Sequence, residues 1–385
     1  QNQRKRRRRE SKANMASSGF ISIILFICTI SLSISSITCK DNLVTNQAAL
    51  FVFGDSLFEA GNNNYFDSLP SFRSNYWPYG KTTFKFPTGR VSDGRIMIDF
   101  IAENAWLPLT PPNLQPGYSN SQLTYGLNFA TTAAGVLAAT FPGVSRDLGT
   151  QLNSFKNVTQ VLRSELGNAE ARRVISKAVY LFHIGANDYQ YPFFANTSTF
   201  STTTKEKFIE YVIGNTTNVI EELYKLGARK FGFLSLGPFG CTPSMSITDT
   251  TKIGSCFEPV SELINLHNQE FPKVLRRLER ELSGFKYSLH DFHTSLLQRI
   301  NSPSRYGFKQ GKTACCGTGP LRGINTCGFR NGPSQGYELC ENVEDHVFFD
   351  PGHLTEKAHG QIAELIWSGP PSVTAPYNLK TLFGL

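Results

Sequence analysis

After residue 38, the sequence lacks any apolar run long enough to cross a bilayer, which takes about 20 residues. It also has no C-x-x-C pair, the spacing typical of zinc sites, although it contains 8 cysteines. No internal repeat is present. These absences argue against a membrane-embedded domain after residue 38, a zinc-ribbon domain and a repeat array. The hydrophobic fraction of 40% over 385 residues is enough for one large folded domain.

The basic residues are concentrated in one short segment. Residues 1–14 contain seven Lys or Arg and one Glu, so the remaining chain contributes only +2 to the net charge of +8. Such a run can be a nuclear signal or a nucleic-acid-binding arm. Here it precedes Met15 and an apolar stretch, residues 19–38, that ends in small residues as secretory signal peptides do.

We therefore interpret residues 1–14 as an upstream extension and residues 15–39 as a signal peptide, with cleavage near Thr38–Lys40. A retained signal anchor is the alternative, because an apolar run of about 20 residues can span a bilayer. The Ser and Thr content of this stretch favours its removal. The expected mature protein is secreted.

Six cysteines remain once the signal peptide is removed: Cys241, Cys256, Cys315, Cys316, Cys327 and Cys340. An even number in a secreted chain favours disulfides. Adjacent Cys315 and Cys316 cannot easily bridge each other, so each is expected to pair with a distant cysteine, and the connectivity stays open. The sequons at Asn157, Asn196 and Asn215 would be surface glycosylation sites in the same compartment.

Short apolar runs alternate with helical patterns along the rest of the chain. Strand-like runs occupy residues 49–53, 126–130, 178–185, 230–236 and 286–292. Apolar residues at spacings of three and four predict helices over residues 148–166, 205–227, 262–284 and 355–369. Two segments interrupt the alternation, a loop-and-helix excursion and a cysteine-braced insertion, at residues 62–125 and 303–345. The alternation is typical of a parallel sheet covered on both faces, which predicts an α/β fold.

Ser56 follows the first strand-like run directly, at the end of a Gly-Asp-Ser sequence. Such clusters usually mark only a turn. However, the carboxyl ends of parallel strands meet at one edge of a sheet, where ligands bind. Asn187 follows the strand predicted over 178–185, and we expect it at the same edge as Ser56.

A serine becomes a nucleophile when a histidine accepts its proton and a carboxylate orients that histidine. His353 is the candidate among seven histidines, because it lies in a Pro/Gly loop three residues after Asp350. A carboxylate at this spacing can turn back to the imidazole Nδ1–H. The amide of Asn187 could donate to a developing oxyanion. Each of these short motifs alone is also compatible with an ordinary turn.

Taken in order, Gly-Asp-Ser, Gly-x-Asn-Asp and Asp-x-x-His resemble the motifs of the GDSL esterase/lipase family within the SGNH hydrolases. Five stretches are similar to its plant branch: "FVFGDSLFEAGNNNY", "FPTGRVSDGR", "LGARKFGFLSLGPFGCTP", "CCGTG" and "FFDPGHLTEKAHGQIAELIWSG". The likeness runs from about Ala48 to Gly369. It implies a hydrolase domain over residues 48–369, with residues 370–385 as a C-terminal tail.

The resemblance implies a flavodoxin-like three-layer α/β/α fold with a central parallel sheet, and a serine esterase or lipase that needs no cofactor or metal. Ser56 would be the nucleophile, His353 the general base and acid, and Asp350 its orienting carboxylate. Asn187 and the N–H of Ser56 would belong to the oxyanion hole. Small-molecule or lipid esters are the implied substrates. A monomer in the apoplast or cell wall is expected, with no nucleic-acid partner and no stable membrane anchor.

One segment departs from the family pattern. Members usually have a glycine-rich stretch that adds a backbone donor to the oxyanion hole, whereas this chain has "NFATTAAG" over residues 128–135. Thr132 and Ala133 stand where glycine is usual, and both stay candidates for the hole because their N–H groups remain. A β-branched threonine would be strained at a positive φ. Three activities are compatible with this departure: hydrolysis, acyl transfer on the same triad, or a weakly active modifier role in defence or glucosinolate pathways.

Overall fold

A computed structural model describes residues 47–117, 119–199, 203–328 and 336–385. The predicted upstream extension and signal peptide lie outside the described residues. Within them, no helix has both the length and the apolar character needed to span a membrane.

The strands are β1 (Leu50–Gly54), β2 (Val179–His183), β3 (Lys230–Leu234), β4 (Lys286–His290), β5 (Cys316–Gly317), β6 (Glu338–Leu339) and β7 (Thr374–Pro376). The α-helices are α1 (Met97–Asn104), α2 (Asn120–Leu123), α3 (Leu148–Lys177), α4 (Ala186–Phe194), α5 (Lys205–Leu226), α6 (Glu258–Glu281), α7 (Phe292–Asn301), α8 (Glu356–Ser368) and α9 (Leu379–Gly384).

The main sheet has five strands in the order β1-β2-β3-β4-β7. Its first four strands are parallel, in a register that places Phe51 beside Tyr180. β7 pairs with β4 in the antiparallel direction, with Leu289 opposite Ala375. The expected parallel sheet therefore has an antiparallel edge strand. Because residues 370–385 supply this strand and α9, they are part of the folded domain rather than a tail beside it.

The strand predicted over residues 126–130 lies beside β1 without joining the regular sheet. The Val52 N–H donates to the Leu127 carbonyl at 3.0 Å, and the Phe129 N–H donates to the Val52 carbonyl at 2.7 Å. A single parallel bridge joins Val52 to Asn128. Counting this segment as second in the chain, the parallel elements lie in the order 2-1-3-4-5, which is the flavodoxin-like order.

Two apolar clusters cover the two faces of the sheet. Alternate residues of a strand point to opposite faces, so Phe51 and Phe53 pack in one cluster, whereas Leu50 and Val52 pack in the other. Helices α3, α5 and α6 contribute to the first cluster, and α1, α7 and α8 contribute to the second. Since β1 is buried along its whole length, its sequence is an unbroken apolar run. The predicted three-layer α/β/α arrangement is confirmed.

The predicted helices differ from the observed ones mainly at their ends. The helix predicted over residues 148–166 continues to Lys177 across a break at Gly167, where φ is 78°. Glycine adopts such a φ without a side-chain clash, so the predicted helix end lies at a break between two helical segments. α6 begins at Glu258, one turn before the predicted start.

The six cysteines in the described residues form three disulfides, Cys241–Cys256, Cys315–Cys340 and Cys316–Cys327. As predicted, adjacent Cys315 and Cys316 have different partners. Their backbone N–H groups donate to the carbonyls of Phe348 and Phe349 at 2.9 and 2.7 Å. The bridged insertion is therefore anchored to the chain just before Asp350.

Candidate active site

Ser56 lies immediately after β1, in a turn held by its neighbours. Gly54 has no room for a side chain, because a Cβ there would lie 2.6 Å from the His183 carbonyl oxygen. The N–H of Asp55 donates to that carbonyl at 3.1 Å, and the Asp55 Oδ1 accepts the Leu57 N–H at 3.0 Å. This Asx turn brings the chain around Ser56 at the carboxyl edge of the sheet, as expected.

Ser56, His353 and Asp350 form a continuous chain of hydrogen bonds. The Ser56 Oγ lies 2.8 Å from the His353 Nε2, and the Nδ1 of the same ring lies 2.7 Å from the Asp350 Oδ1. That oxygen also accepts the backbone N–H groups of Gly352 and His353 at 2.9 and 2.8 Å. The Asp-x-x-His turn thus brings carboxylate and imidazole together locally. Ser56 is 297 residues from His353, so the fold alone brings the hydroxyl to the ring.

Tyr79 is a further partner of the carboxylate, and no sequence pattern indicated it. Its hydroxyl donates to the Asp350 Oδ2 at 2.7 Å, and both side chains are fully buried. Burial acts to raise the pKa of Asp350, but the charge of His353 and the hydrogen bonds from His353 and Tyr79 outweigh it, so this pKa is lowered. The Asp350 carboxylate therefore stays ionised beside the imidazole.

His353 is more basic than a free histidine. Burial acts to lower the pKa of its ring, but the charge and hydrogen bond of Asp350, with the charge of Asp55, outweigh this, so the pKa is raised above 6.5. One fifth of the side chain, 20%, remains exposed. The ring can therefore take up a proton while it faces the pocket.

Residues Thr131 to Ala134 form a tight turn at the same pocket. The Ala134 N–H donates to the Thr131 carbonyl at 3.1 Å and closes the turn. Ala133, in the third position, has a φ of 65°. A type II turn requires a positive φ at this position and normally has glycine there. The unfavourable conformation therefore falls on Ala133, and the β-branched Thr132 is not among the residues of positive φ.

The N–H groups of Thr132 and Ala133 have different surroundings. The Thr132 N–H donates to the Asn63 Oδ1 at 2.9 Å and to the Glu59 Oε2 at 3.2 Å. Among the described residues, the N–H groups of Ala133 and Ser56 have no hydrogen-bond acceptor, and both residues line the pocket. Thr132 and Ala133 were both expected as candidates for the oxyanion hole, but the N–H of Thr132 is directed to acceptors within the protein.

Asn187 is the second residue of α4 and lines the same pocket. Its Nδ2 donates to the Ala134 carbonyl at 2.9 Å, which ties this side chain to the 131–134 turn. A side-chain amide nitrogen carries two hydrogens. One of them is engaged by this carbonyl, and the other can be offered to a ligand.

Two buried carboxyl groups behind the pocket have raised pKa values. Burial raises the pKa of Glu59 to about 8, although backbone N–H groups, that of Gly61 first, act to lower it. Burial likewise raises the pKa of Asp188 to about 6, against the hydrogen bonds that it accepts from Thr140 and from two backbone N–H groups. No sequence pattern indicated Glu59, because an acidic residue three positions after Ser56 cannot be told from a surface glutamate.

A cavity of about 520 Å³ opens in front of Ser56. Asn187 and His353 belong to its polar lining. Apolar side chains form much of the remaining wall: Leu57, Phe72, Phe141, Phe194, Phe239 and Ile324. Few polar groups in a mainly apolar wall are typical of small-molecule sites. The part of the chain that the structure describes contains no group of three or more His, Cys, Asp or Glu residues placed to hold a metal ion.

The three predicted glycosylation sites differ in their surroundings. Asn157 lies exposed on α3, and Asn196 lies exposed in the turn after α4. Asn215, on α5, is half-buried and its Nδ2 donates to the Tyr211 carbonyl at 2.8 Å. Because N-linked glycans are typically found on surface loops, Asn196 is the best placed of the three.

The chain matches the family model described as GDSL-like Lipase/Acylhydrolase over residues 50–366. It is 85% identical over 377 residues to GDSL esterase/lipase 4 of Arabidopsis thaliana, covering 96% of this chain and 100% of that protein. It is 68% identical over 365 residues to GDSL esterase/lipase 3 of the same plant, covering 94% and 98%. It is 65% identical over 373 residues to GDSL esterase/lipase 1, covering 96% and 100%.

The matched region runs from β1 into α8 and includes every residue of the candidate site. Its three-layer α/β fold is the one that the motifs led us to expect. The chain belongs to the GDSL esterase/lipase family, and it is a carboxylic ester hydrolase of the plant branch.

Proposed function

We propose that this chain is a secreted serine esterase or lipase that works through a Ser56–His353–Asp350 triad and an acyl-enzyme intermediate. The observation that supports the triad is its two successive short contacts, 2.8 Å from Oγ to Nε2 and 2.7 Å from Nδ1 to Oδ1. A nucleophile, a base and an orienting carboxylate in this arrangement are what acyl transfer from an ester requires.

In the first half of the reaction, the Ser56 Oγ attacks the ester carbonyl carbon while the His353 Nε2 takes its proton. The buried Asp350 carboxylate stabilises the resulting imidazolium. The same nitrogen then protonates the leaving alkoxide, so the alcohol departs and an acyl ester of Ser56 remains. In the second half, His353 takes a proton from water, the hydroxide attacks the acyl carbon, and the proton returns to the Ser56 Oγ as the acid leaves.

The negative oxygen of each tetrahedral intermediate would be bound by the N–H groups of Ser56 and Ala133 and by the Asn187 amide. Loss of one such donor typically lowers kcat by about 10²–10³. Ala133 favours an active hydrolase over a weakly active modifier, because its backbone adopts the positive φ that glycine would favour at this position. Thr132 is left out of this hole because its N–H already has acceptors.

Hydrolysis of p-nitrophenyl acetate and butyrate by the purified protein tests the triad. Ser56→Ala is expected to reduce the rate to background, whereas Ser261→Ala, on α6, serves as the matched serine control and should leave it unchanged. Equal rates for wild type and Ser56→Ala would remove Ser56 from the mechanism. Adding an alcohol acceptor and analysing the products distinguishes hydrolysis from acyl transfer, since only transfer yields a new ester.

The three disulfides support secretion, because such bonds persist in oxidising compartments. We propose that the mature protein is a monomer in the apoplast or cell wall. N-terminal sequencing of the protein recovered from extracellular fluid tests the location and the processing together. A start near Thr38–Lys40 is expected, and a mature protein that retains residues 1–14 would contradict the proposal.

A further inference from the structure

The 131–134 turn is connected to each segment that carries a proposed oxyanion donor. The Thr131 N–H donates to the Gly54 carbonyl at 3.2 Å, at the end of the strand that presents the nucleophile. The Ala134 carbonyl accepts the Asn187 amide at 2.9 Å. A displacement of this turn would therefore move the N–H of its third residue and the Asn187 amide together.

Glu59 joins this turn to the loop that follows the nucleophile. Its Oε2 accepts the Thr132 N–H at 3.2 Å, and its Oε1 accepts the Gly61 N–H. The side chain is fully buried, so water does not compete for either oxygen. Asn63, from the same loop, shares the Thr132 N–H at 2.9 Å. Two side chains of one loop thus hold the peptide that directly precedes the N–H of Ala133.

We propose that Glu59 is a positioning residue that clamps this turn, so that the N–H of Ala133 stays directed at the oxygen bound in front of Ser56. This inference rests on the proposed function. A residue with a Cβ is unfavourable at a φ of 65°, so the turn requires outside contacts to keep its shape. Because the third position is an alanine, the contacts of Glu59 at Thr132 hold the turn in shape. A glycine at the third position would need less of this support.

The chemistry of the clamp requires a carboxyl group at this position. Each oxygen accepts an N–H from a different segment. Both oxygens of a carboxyl group carry lone pairs whether or not the group is protonated. A glutamine instead has one oxygen and one NH₂ group, so Glu59→Gln must place a donor against one of the two N–H groups. Glu59→Asp keeps both oxygens but is shorter by one methylene, so it cannot reach both partners at once.

Steady-state kinetics on p-nitrophenyl butyrate test the effect on catalysis. Glu59→Gln is expected to lower kcat by about 10- to 100-fold and to change KM by less than about threefold, because a misplaced oxyanion donor weakens mainly the transition state. Asp93→Asn is the matched control, since it makes the same change at another buried carboxyl, one that accepts the Glu356 N–H at 2.8 Å. It is expected to lower thermal stability with little change in kcat.

A rescue experiment separates positioning from a general structural role. In Ala133→Gly, the glycine adopts a positive φ without the support of the clamp. In the Glu59→Gln background it is expected to restore kcat by at least about fivefold relative to Glu59→Gln alone. If Glu59→Gln does not fold, Glu59→Asp takes its place in the same comparison. The absence of any rescue would overturn the proposal. A wild-type kcat in Glu59→Gln, or an equal loss of kcat in Asp93→Asn, would overturn it too.

Amide hydrogen exchange tests the clamp without any substrate. The Ala134 N–H closes the turn, and in Glu59→Gln its exchange is expected to be at least about tenfold faster than in wild type, because the turn opens more often. Unchanged exchange would overturn the clamp. If wild type and Ser56→Ala hydrolyse esters equally, the proposed function fails, and this measurement still decides whether Glu59 holds the turn.

Discussion

Glycine substitutions at two neighbouring alanines measure the strain in the turn beside Ser56. Ala133 has a φ of 65°, and Ala134, the next residue, is not among the residues of positive φ. Both are buried, at 6% and 0% exposure. The two substitutions therefore remove the same methyl group from similar surroundings and differ mainly in the backbone conformation that they relieve.

The expected free energies of unfolding follow from three contributions. Either substitution loses a buried methyl group worth about 0.8 kcal/mol, and the freedom of glycine in the unfolded chain costs roughly 0.5–1 kcal/mol more. Ala134→Gly should therefore destabilise the protein by about 1.5 kcal/mol. At Ala133, relief of the left-handed conformation offsets this by about 1–2 kcal/mol. Ala133→Gly should be about as stable as wild type.

Urea unfolding followed by tryptophan fluorescence gives both differences. The slope of the free energy of unfolding with urea should stay unchanged, so that the midpoints report stability. We expect the two variants to differ by about 1–2 kcal/mol, which is a factor of roughly 5–30 in the folded-to-unfolded ratio. If Ala133→Gly lost as much stability as Ala134→Gly, the turn would store no strain, and the need for a clamp would disappear.

Three further predictions concern protonation and glycosylation. Tyr79→Phe removes a hydrogen bond that lowers the pKa of Asp350. The acid limb of the kcat/KM profile should therefore move to higher pH, and the free energy of unfolding should fall by about 1.5–3 kcal/mol. Tyr180→Phe is the control and should leave the pH profile unchanged. Folding binds a proton at Glu59 between about pH 4.5 and 8, so wild-type stability should fall as pH rises through that window, and urea titrations should show a smaller fall in Glu59→Gln. Asn196→Gln should remove one glycan from the secreted protein by intact mass, and an unchanged mass would exclude that site.

Much of the fold could be predicted because its signals are local. The strands at 178–185 and 230–236 read as largely apolar runs without a regular polar alternation, since a parallel sheet buries both faces. The helices showed their buried faces by spacings of three and four. The edge strand β7 was missed, because its three residues, which include Pro376, form no apolar run. The segment at 126–130 was taken as a regular strand, although it makes isolated parallel bridges, to Val52 and to Pro112, rather than a continuous ladder.

The candidate site likewise contains residues that a local motif indicates and residues that only the folded structure brings together. Asp350 and His353 are three residues apart, so one turn brings them together and a motif can indicate them. Tyr79 lies 271 residues from Asp350, and no spacing along the chain suggests that contact. Residue type alone could not show that Thr132 and Ala133 have different roles. The φ of each residue and the acceptor of each N–H depend on packing against Glu59 and Asn63.

Residue order alone was therefore sufficient for the alternation of strands and helices, the family, and the three side chains of the proposed triad. These depend on short-range patterns, whose physical causes act within a few residues. The antiparallel edge strand, the buried partner of Asp350 and the conformation of the 131–134 turn depend on contacts between distant segments. Such contacts exist only after the chain has packed, since burial and hydrogen-bond partners are properties of the folded molecule.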